Sequence, residues 1–337
     1  MRRLGRAAGR AATRPVTGLA AMTVLALTAS GCVTVHGELE VVPSATKSEA
    51  EQALTDFTEA YNKADKANDP ALDAGRVTGA LGAINQAGLK SRSVTSPQGN
   101  AQHKPLELAD ASFTIPKKAG WPRWFVADTD SNRDTDGGAG DNRWLLVFVR
   151  NGADQLWEVA YLTILAPGDI PKFKTDKDGW AEAAAPDSAA LSVAPKNLSE
   201  EYSSYLHSGK PEHFAAGAHT SLWRDERRKL ANRLGLSTQY VDQPLDSGDF
   251  APLGLTTEDG GALVFFATRF YDRQTAAQGY RPKVSPDVKA LMTGEVKSTI
   301  TKEWVSNQAV RVEPAGADAD QVTILARLQG VTSAAGS

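Results

Sequence analysis

The chain has 337 residues, 41% of them apolar, with 37 basic and 40 acidic side chains. Five of the arginines precede residue 15 with no acid among them, so the chain from residue 32 onward carries 32 basic against 40 acidic groups, a net charge of −8. An acidic body lacks the concentrated positive patch that nucleic acids or anionic lipid head groups require, and a single cysteine excludes disulfides and thiolate metal clusters.

The amino terminus places Arg2, Arg3, Arg6, Arg10 and Arg14 ahead of an uncharged run, Val16 to Thr28. That is the order of a secretory signal peptide, and the run is too short for the roughly 20 residues of a spanning helix. Ala29, Ser30 and Gly31 then lead into Cys32, which resembles the lipobox of bacterial lipoproteins, although Ala29 stands where that family usually carries Leu. The resemblance implies diacylglycerylation of the Cys32 thiol, cleavage before it, and a protein lipid-anchored on the extracytoplasmic face of the cell membrane. Two acyl chains make such an anchor stable. The Arg2-Arg3 pair lacks the residues that complete a twin-arginine motif.

Residues 1–31 are thus a signal peptide and 32–47 a lipidated tether containing Pro43. A first α+β domain is expected over 48–166. Ser48 with Glu51 has the form of a capping box, and Ala50, Ala53, Leu54, Phe57, Tyr61 and Ala64 recur at helical spacing. A second helix is expected from Pro70 to Ala87, ended by Gly88. Alternating or β-rich segments follow at 89–94, 105–116, 123–129, 143–151 and 155–165. Residues 167–187, polar and punctuated by prolines, are expected as a linker. The pattern restarts over 188–332, with a helix opening at Leu198, a longer one from Ala215 to Leu234, strands at 261–272, 298–314 and 320–330, and a short helix from Pro286 to Met292; residues 333–337 are a tail. The repeated order, and the echo of Ala153-Asp154-Gln155-Leu156 in Ala319-Asp320-Gln321-Val322, suggest a degenerate duplication.

Two helices followed by a meander of strands is an α+β pattern, unlike the strand–helix alternation of nucleotide-binding folds. It resembles the cone-shaped nuclear transport factor 2-like fold, so two tandem domains of that kind are expected. More narrowly, Tyr61-Asn62-Lys63-Ala64 with Asp69-Pro70, Phe113-Thr114-Ile115-Pro116, and Trp121-Pro122-Arg123-Trp124-Phe125-Val126 resemble a family of uncharacterised actinobacterial lipoproteins. That resemblance implies fold, export and anchoring, and brings no catalytic residues.

Tyr61, Trp121, Trp124, Trp144 and Trp157 are the candidate pocket residues, because aromatics on a cone's sheet can line a ligand cavity or fill a core. Asp128, Asp130, Asn132, Asp134, Asp136 and Asp141 offer alternating oxygens, but Thr135 occupies the position where a calcium loop needs Gly, so a solvated hairpin loop is expected. His207, His213 and His219 lack the spacing of a zinc site. Residues 223–229 read as a solvated helix face, with Leu222, Leu230 and Leu234 on its core side. No phosphate-binding loop, dinucleotide fingerprint or nucleophile elbow is present, so no cofactor, metal or catalytic residue is assigned. The function expected is a non-enzymatic envelope lipoprotein whose partner, besides the membrane, is another envelope protein or an apolar small molecule. An enzyme using a cone cavity and a solute-binding lipoprotein are the alternatives.

Overall fold

The computed structural model describes residues 40–317 and 321–337. The signal peptide, Ala29, Ser30, Gly31, Cys32 and most of the tether lie outside the described residues, as do Ala319 and Asp320 of the echoed tetrapeptide.

The elements run in chain order as β1 (Val42–Pro43), α1 (Lys47–Ala67), α2 (Gly79–Thr95), β2 (Leu108–Thr114), β3 (Lys117–Lys118), β4 (Arg123–Ser131), β5 (Arg143–Arg150) and β6 (Glu158–Leu165). They continue as α3 (Leu198–Ser208), α4 (Ser221–Ala231), β7 (Asn232–Arg233), β8 (Leu236–Leu245), β9 (Leu253–Thr256) and β10 (Ala262–Ala276), then α5 (Pro286–Ala290), β11 (Met292–Thr293), β12 (Thr299–Val312) and β13 (Val322–Gly336). The class is α+β. One sheet has the order β2-β4-β5-β6, and the larger one the order β11-β13-β12-β10-β8-β7 with β9 beside β10. The first half runs as two helices and then a four-stranded antiparallel sheet; the second runs as two helices and then a seven-stranded sheet, antiparallel except for the β11–β13 pair.

The central strands are apolar on consecutive residues because both of their faces are covered. In β4 and β5, Trp124, Val126, Leu145, Val147 and Val149 face the second sheet and meet Leu263, Phe265, Ala267, Val305 and Ala309. The alternate residues Phe125, Ala127, Leu146 and Phe148 face α1 and its Ala50, Ala53, Leu54 and Phe57. On the far side of the second sheet, Val264, Phe266, Val310 and Val312 pack on Leu198, Tyr202 and Leu206 of α3. The layers are helix, sheet, sheet, helix, and each large apolar side chain so buried stabilises the fold by roughly 1.5–3 kcal/mol.

Polar contacts cross the same interface. Tyr161 of β6 donates its hydroxyl to the carbonyls of Phe250 (2.8 Å) and Ala251 (3.1 Å), and the fully buried Asn307 of β12 donates to the carbonyl of Leu162 (3.0 Å). Residues 167–187, expected as a linker, are hydrogen-bonded to both sides. Ala181 N donates to Ile115 O at 3.0 Å, and Ala184 N to Gly254 O at 2.8 Å. All described residues belong to one compact unit.

Several expected boundaries move. The capping box is Thr46 with Glu49 rather than Ser48 with Glu51: Glu49 N donates to Thr46 Oγ1 at 3.1 Å and Thr46 N to Glu49 Oε2 at 2.8 Å. The second helix starts at Gly79 rather than Pro70 and runs through Gly88, and 89–94 is helix rather than strand, because α2 is enclosed on more than one side and buries Leu81, Ala87, Leu89 and Ser91. The helix expected from Ala215 begins only at Ser221. Residues 333–336 continue β13 instead of forming a tail, held by Lys302↔Ala334 and Ile300↔Gly336.

Candidate functional site

A recess of about 570 Å³ lies where the first half's helices meet strands and a helix of the second half. Leu81 and Ile84 come from α2, Leu162 and Ile164 from β6, Val288 and Leu291 from α5, and Leu328 and Val331 from β13. This volume lies in the range of small-molecule sites, and an apolar wall with few polar groups is their usual composition. Close approach of α2 to β13 depends on Gly330, whose Cβ would come within 2.8 Å of Ile84 Cγ2. Ile164 is 41% exposed, which places it at the mouth.

The polar groups collect along α2. Ser91 Oγ donates to the backbone carbonyl of Asp287 (3.0 Å), tying α2 to α5. Arg92 lies 3.4 Å from Asp65, which also contacts His103 at 2.8 Å. Asn85 and Gln86 each donate to buried Asp73 at 2.6 Å, yet burial still pushes that carboxyl above its ordinary range. Burial, with the nearby Asp65 carboxylate, likewise raises the Tyr61 hydroxyl. An apolar chamber whose polar lining is Tyr61, Asn85, Ser91, Arg92 and Asp287 suits a largely hydrocarbon molecule with a polar end.

Of the five candidate pocket residues, Tyr61 and Trp144 line this cavity. The other three do not, and their neighbours give the reason. Trp124, on the opposite face of β4, is 2% exposed in the core between the sheets. Trp157, at 7%, packs edge-on against Phe125 with Arg150 over its ring. Trp121 is half-buried and lies against Arg123 and Arg150. The cavity residues of α5 and β13 went unrecognised in sequence, since nothing local shows that a distant half closes over α2.

The second half holds a smaller recess of about 230 Å³, with a different interior. Arg227 of α4 donates to both carboxylate oxygens of Asp242 on β8, at 2.9 and 2.8 Å; the two side chains are 6% and 4% exposed. The guanidinium lies within 4.6–4.9 Å of the ring centres of Phe270, Trp223 and Tyr240, and Arg327 covers Trp223 at 4.0 Å. Burial raises the Asp242 carboxyl despite the pairing. The reading of 223–229 as a solvated face is corrected here. Leu222 and Leu234 are 61% and 88% exposed, and α4 instead buries Arg227 and half-buries Trp223, because a guanidinium boxed by aromatics and bonded through Nη1 to both oxygens of a carboxylate can be desolvated.

The aspartates of the β4–β5 hairpin are spent on structure. Asp128 accepts from Arg143 Nε at 2.7 Å, Asp130 from Ser131 N at 2.8 Å and Asp134 from Asn142 N at 2.8 Å. His213 contacts Glu201 at 3.0 Å, His207 is exposed, and His219 is half-buried. Among the described residues, no group of three or more His, Cys, Asp or Glu side chains is placed to hold a metal, and no helix is long and apolar enough to cross a membrane.

Residues 41–336, from the first described strand to the end of β13, match the family described as "Domain of unknown function (DUF8094)". The chain belongs to that family. An uncharacterized lipoprotein of Streptomyces coelicolor is 57% identical over 318 residues, covering 94% of each chain. One from Streptomyces avermitilis is 58% identical over 318 residues, covering 94% of this chain and 93% of its own. The family is therefore one of streptomycete lipoproteins, and its shared region takes in both halves, the apolar cavity and the buried ion pair together.

Proposed function

We propose that this protein is a non-enzymatic binding lipoprotein, anchored through Cys32 on the extracytoplasmic face of the cell membrane, that holds an apolar small molecule in the cavity between α2, β6, α5 and β13. The observation that carries the reading is the cavity itself: about 570 Å³, walled largely by Leu, Ile and Val, with few polar side chains among its lining. In the same reading the halves descend from a duplicated nuclear transport factor 2-like unit over 48–166 and 188–332. The first copy keeps an open chamber, and the second has filled its own with Arg227 and its aromatic neighbours. The lipoprotein names of the relatives support the anchor.

Binding is tested by titrating the protein with a long-chain alcohol while following tryptophan emission, since Trp144 lines the chamber. A saturable change is expected, weakened at least tenfold in Ile164→Arg, which puts a charge at the mouth. An emission that never changes, or one equally affected in the variant, contradicts the reading. Anchoring is tested separately by fractionating cells expressing the parent and Cys32→Ala; the parent should carry a lipid-sized mass increment and the variant should be released.

A further inference from the structure

Net charge conceals where the charges lie. Residues 227–241 and 273–286 contain no acidic side chain, and the fold brings them together at one end of the larger sheet. There the β7–β8 turn, the loop after β10 and the start of β12 lie side by side, with Ala277 N donating to Gly235 O (2.9 Å) and Ala276 N to Ser298 O (2.8 Å). Gly235, at φ +74°, lets the turn pass directly against the Tyr280 ring, which a Cβ there would overlap.

The apex so formed presents Leu234, 88% exposed, and Tyr280, 48% exposed. Around it stand Arg233, Arg273, Arg281, Lys283 and Lys297, all exposed; among the described residues none of the five forms an ion pair, in contrast to Arg227 and Lys302 deeper in the same sheet. Between α5 and β12 the one acidic side chain is Glu295, and Ser337 O accepts from Lys297 N at 3.1 Å. Five exposed cations without ion pairs thus gather at one end of a chain that is acidic from residue 32 onward.

We infer that this end of the sheet docks on an anionic lipid bilayer, with Leu234 and Tyr280 entering the interface and the ring of cations facing lipid phosphates. Exposed cations near an anionic leaflet each strengthen attachment about fivefold, and an aromatic or aliphatic side chain at the apex adds burial in the acyl boundary. A nucleic acid would satisfy the cations but leave the leucine in water, which favours the bilayer. The inference is independent of acylation at Cys32, and it reverses the expectation drawn from net charge.

The test uses the full chain carrying Cys32→Ala, so that no lipid contributes, mixed with vesicles of phosphatidylcholine alone or with phosphatidylglycerol added. The parent should sediment with the anionic vesicles at low salt, and a variant combining Arg233→Gln, Leu234→Ser, Arg281→Gln and Lys297→Gln should do so at least tenfold less. Circular dichroism and melting temperature report whether that variant remains folded. A second variant, Leu234→Trp, should shift its emission to the blue on anionic vesicles only. Equal sedimentation of parent and variant, no preference for anionic lipid, or binding to duplex DNA without binding to vesicles would each overturn the inference.

Discussion

The two halves share an order of two helices before a largely antiparallel sheet, and differ in what lies beside those helices. Beside α2 an apolar chamber stays open, walled on its other side by α5 and β13 of the second half; beside α4 lie a guanidinium, its carboxylate and three aromatic rings. The second half therefore depends on charge pairing where the first depends on helix–sheet packing.

Removing one partner of the buried pair should have the largest effect. Asp242→Ala leaves Arg227 charged and unpaired, at a cost of about 3–5 kcal/mol in denaturant unfolding, whereas Arg227→Met with Asp242→Leu should recover most of that loss. Equal costs for both would mean that the pair is not what holds α4. Next comes the seam between the halves. Tyr161→Phe frees two carbonyls of the second half and should cost about 1–2 kcal/mol while preserving a single unfolding transition. Two separated transitions in the parent would show that the halves fold apart. The cap of α1 should matter less: Thr46→Ala removes a reciprocal hydrogen-bonded cap and should cost about 1 kcal/mol, without reaching the second half's charge cluster.

The smallest effect is a pH dependence confined to the second half. Burial and the Arg327 cation depress His219 below its ordinary value of 6.5. The unfolded chain therefore binds that proton first, so the stability His219 contributes is whole above pH 6.5 and is lost as pH falls from there through the folded-state value. His219→Gln should flatten the acid side of the stability profile below pH 6.5. An unchanged profile would place the acid sensitivity elsewhere.

Legibility in the sequence followed the same division. Segments such as Arg143–Arg150 and Ala262–Ala276 announce themselves because double-sided burial writes a continuous apolar run into the strand. Tyr61 and Trp144 were identifiable because an aromatic on the helix and one on the sheet face the same space. What sequence concealed were long-range pairings. Gly88 reads as a helix end, yet it stays inside α2, where burial continues at Leu89 and Ser91 on different sides of the helix. Arg227 reads as surface because its carboxylate lies 15 residues away on another element. β8 was missed because its polar residues and Pro244 lack an alternating pattern. The basic apex is divided between two stretches that only the fold brings together.

The proposed function requires that the chamber between α2, β6, α5 and β13 hold an apolar molecule. Purifying the protein from a streptomycete host without detergent, extracting it with organic solvent and weighing what is released by mass spectrometry tests this most directly. A hydrocarbon-rich compound should be recovered in near-equal molar amount from the parent and lost from Ile164→Arg. Recovery of nothing, or of the same compound in the same amount from both proteins, would contradict it.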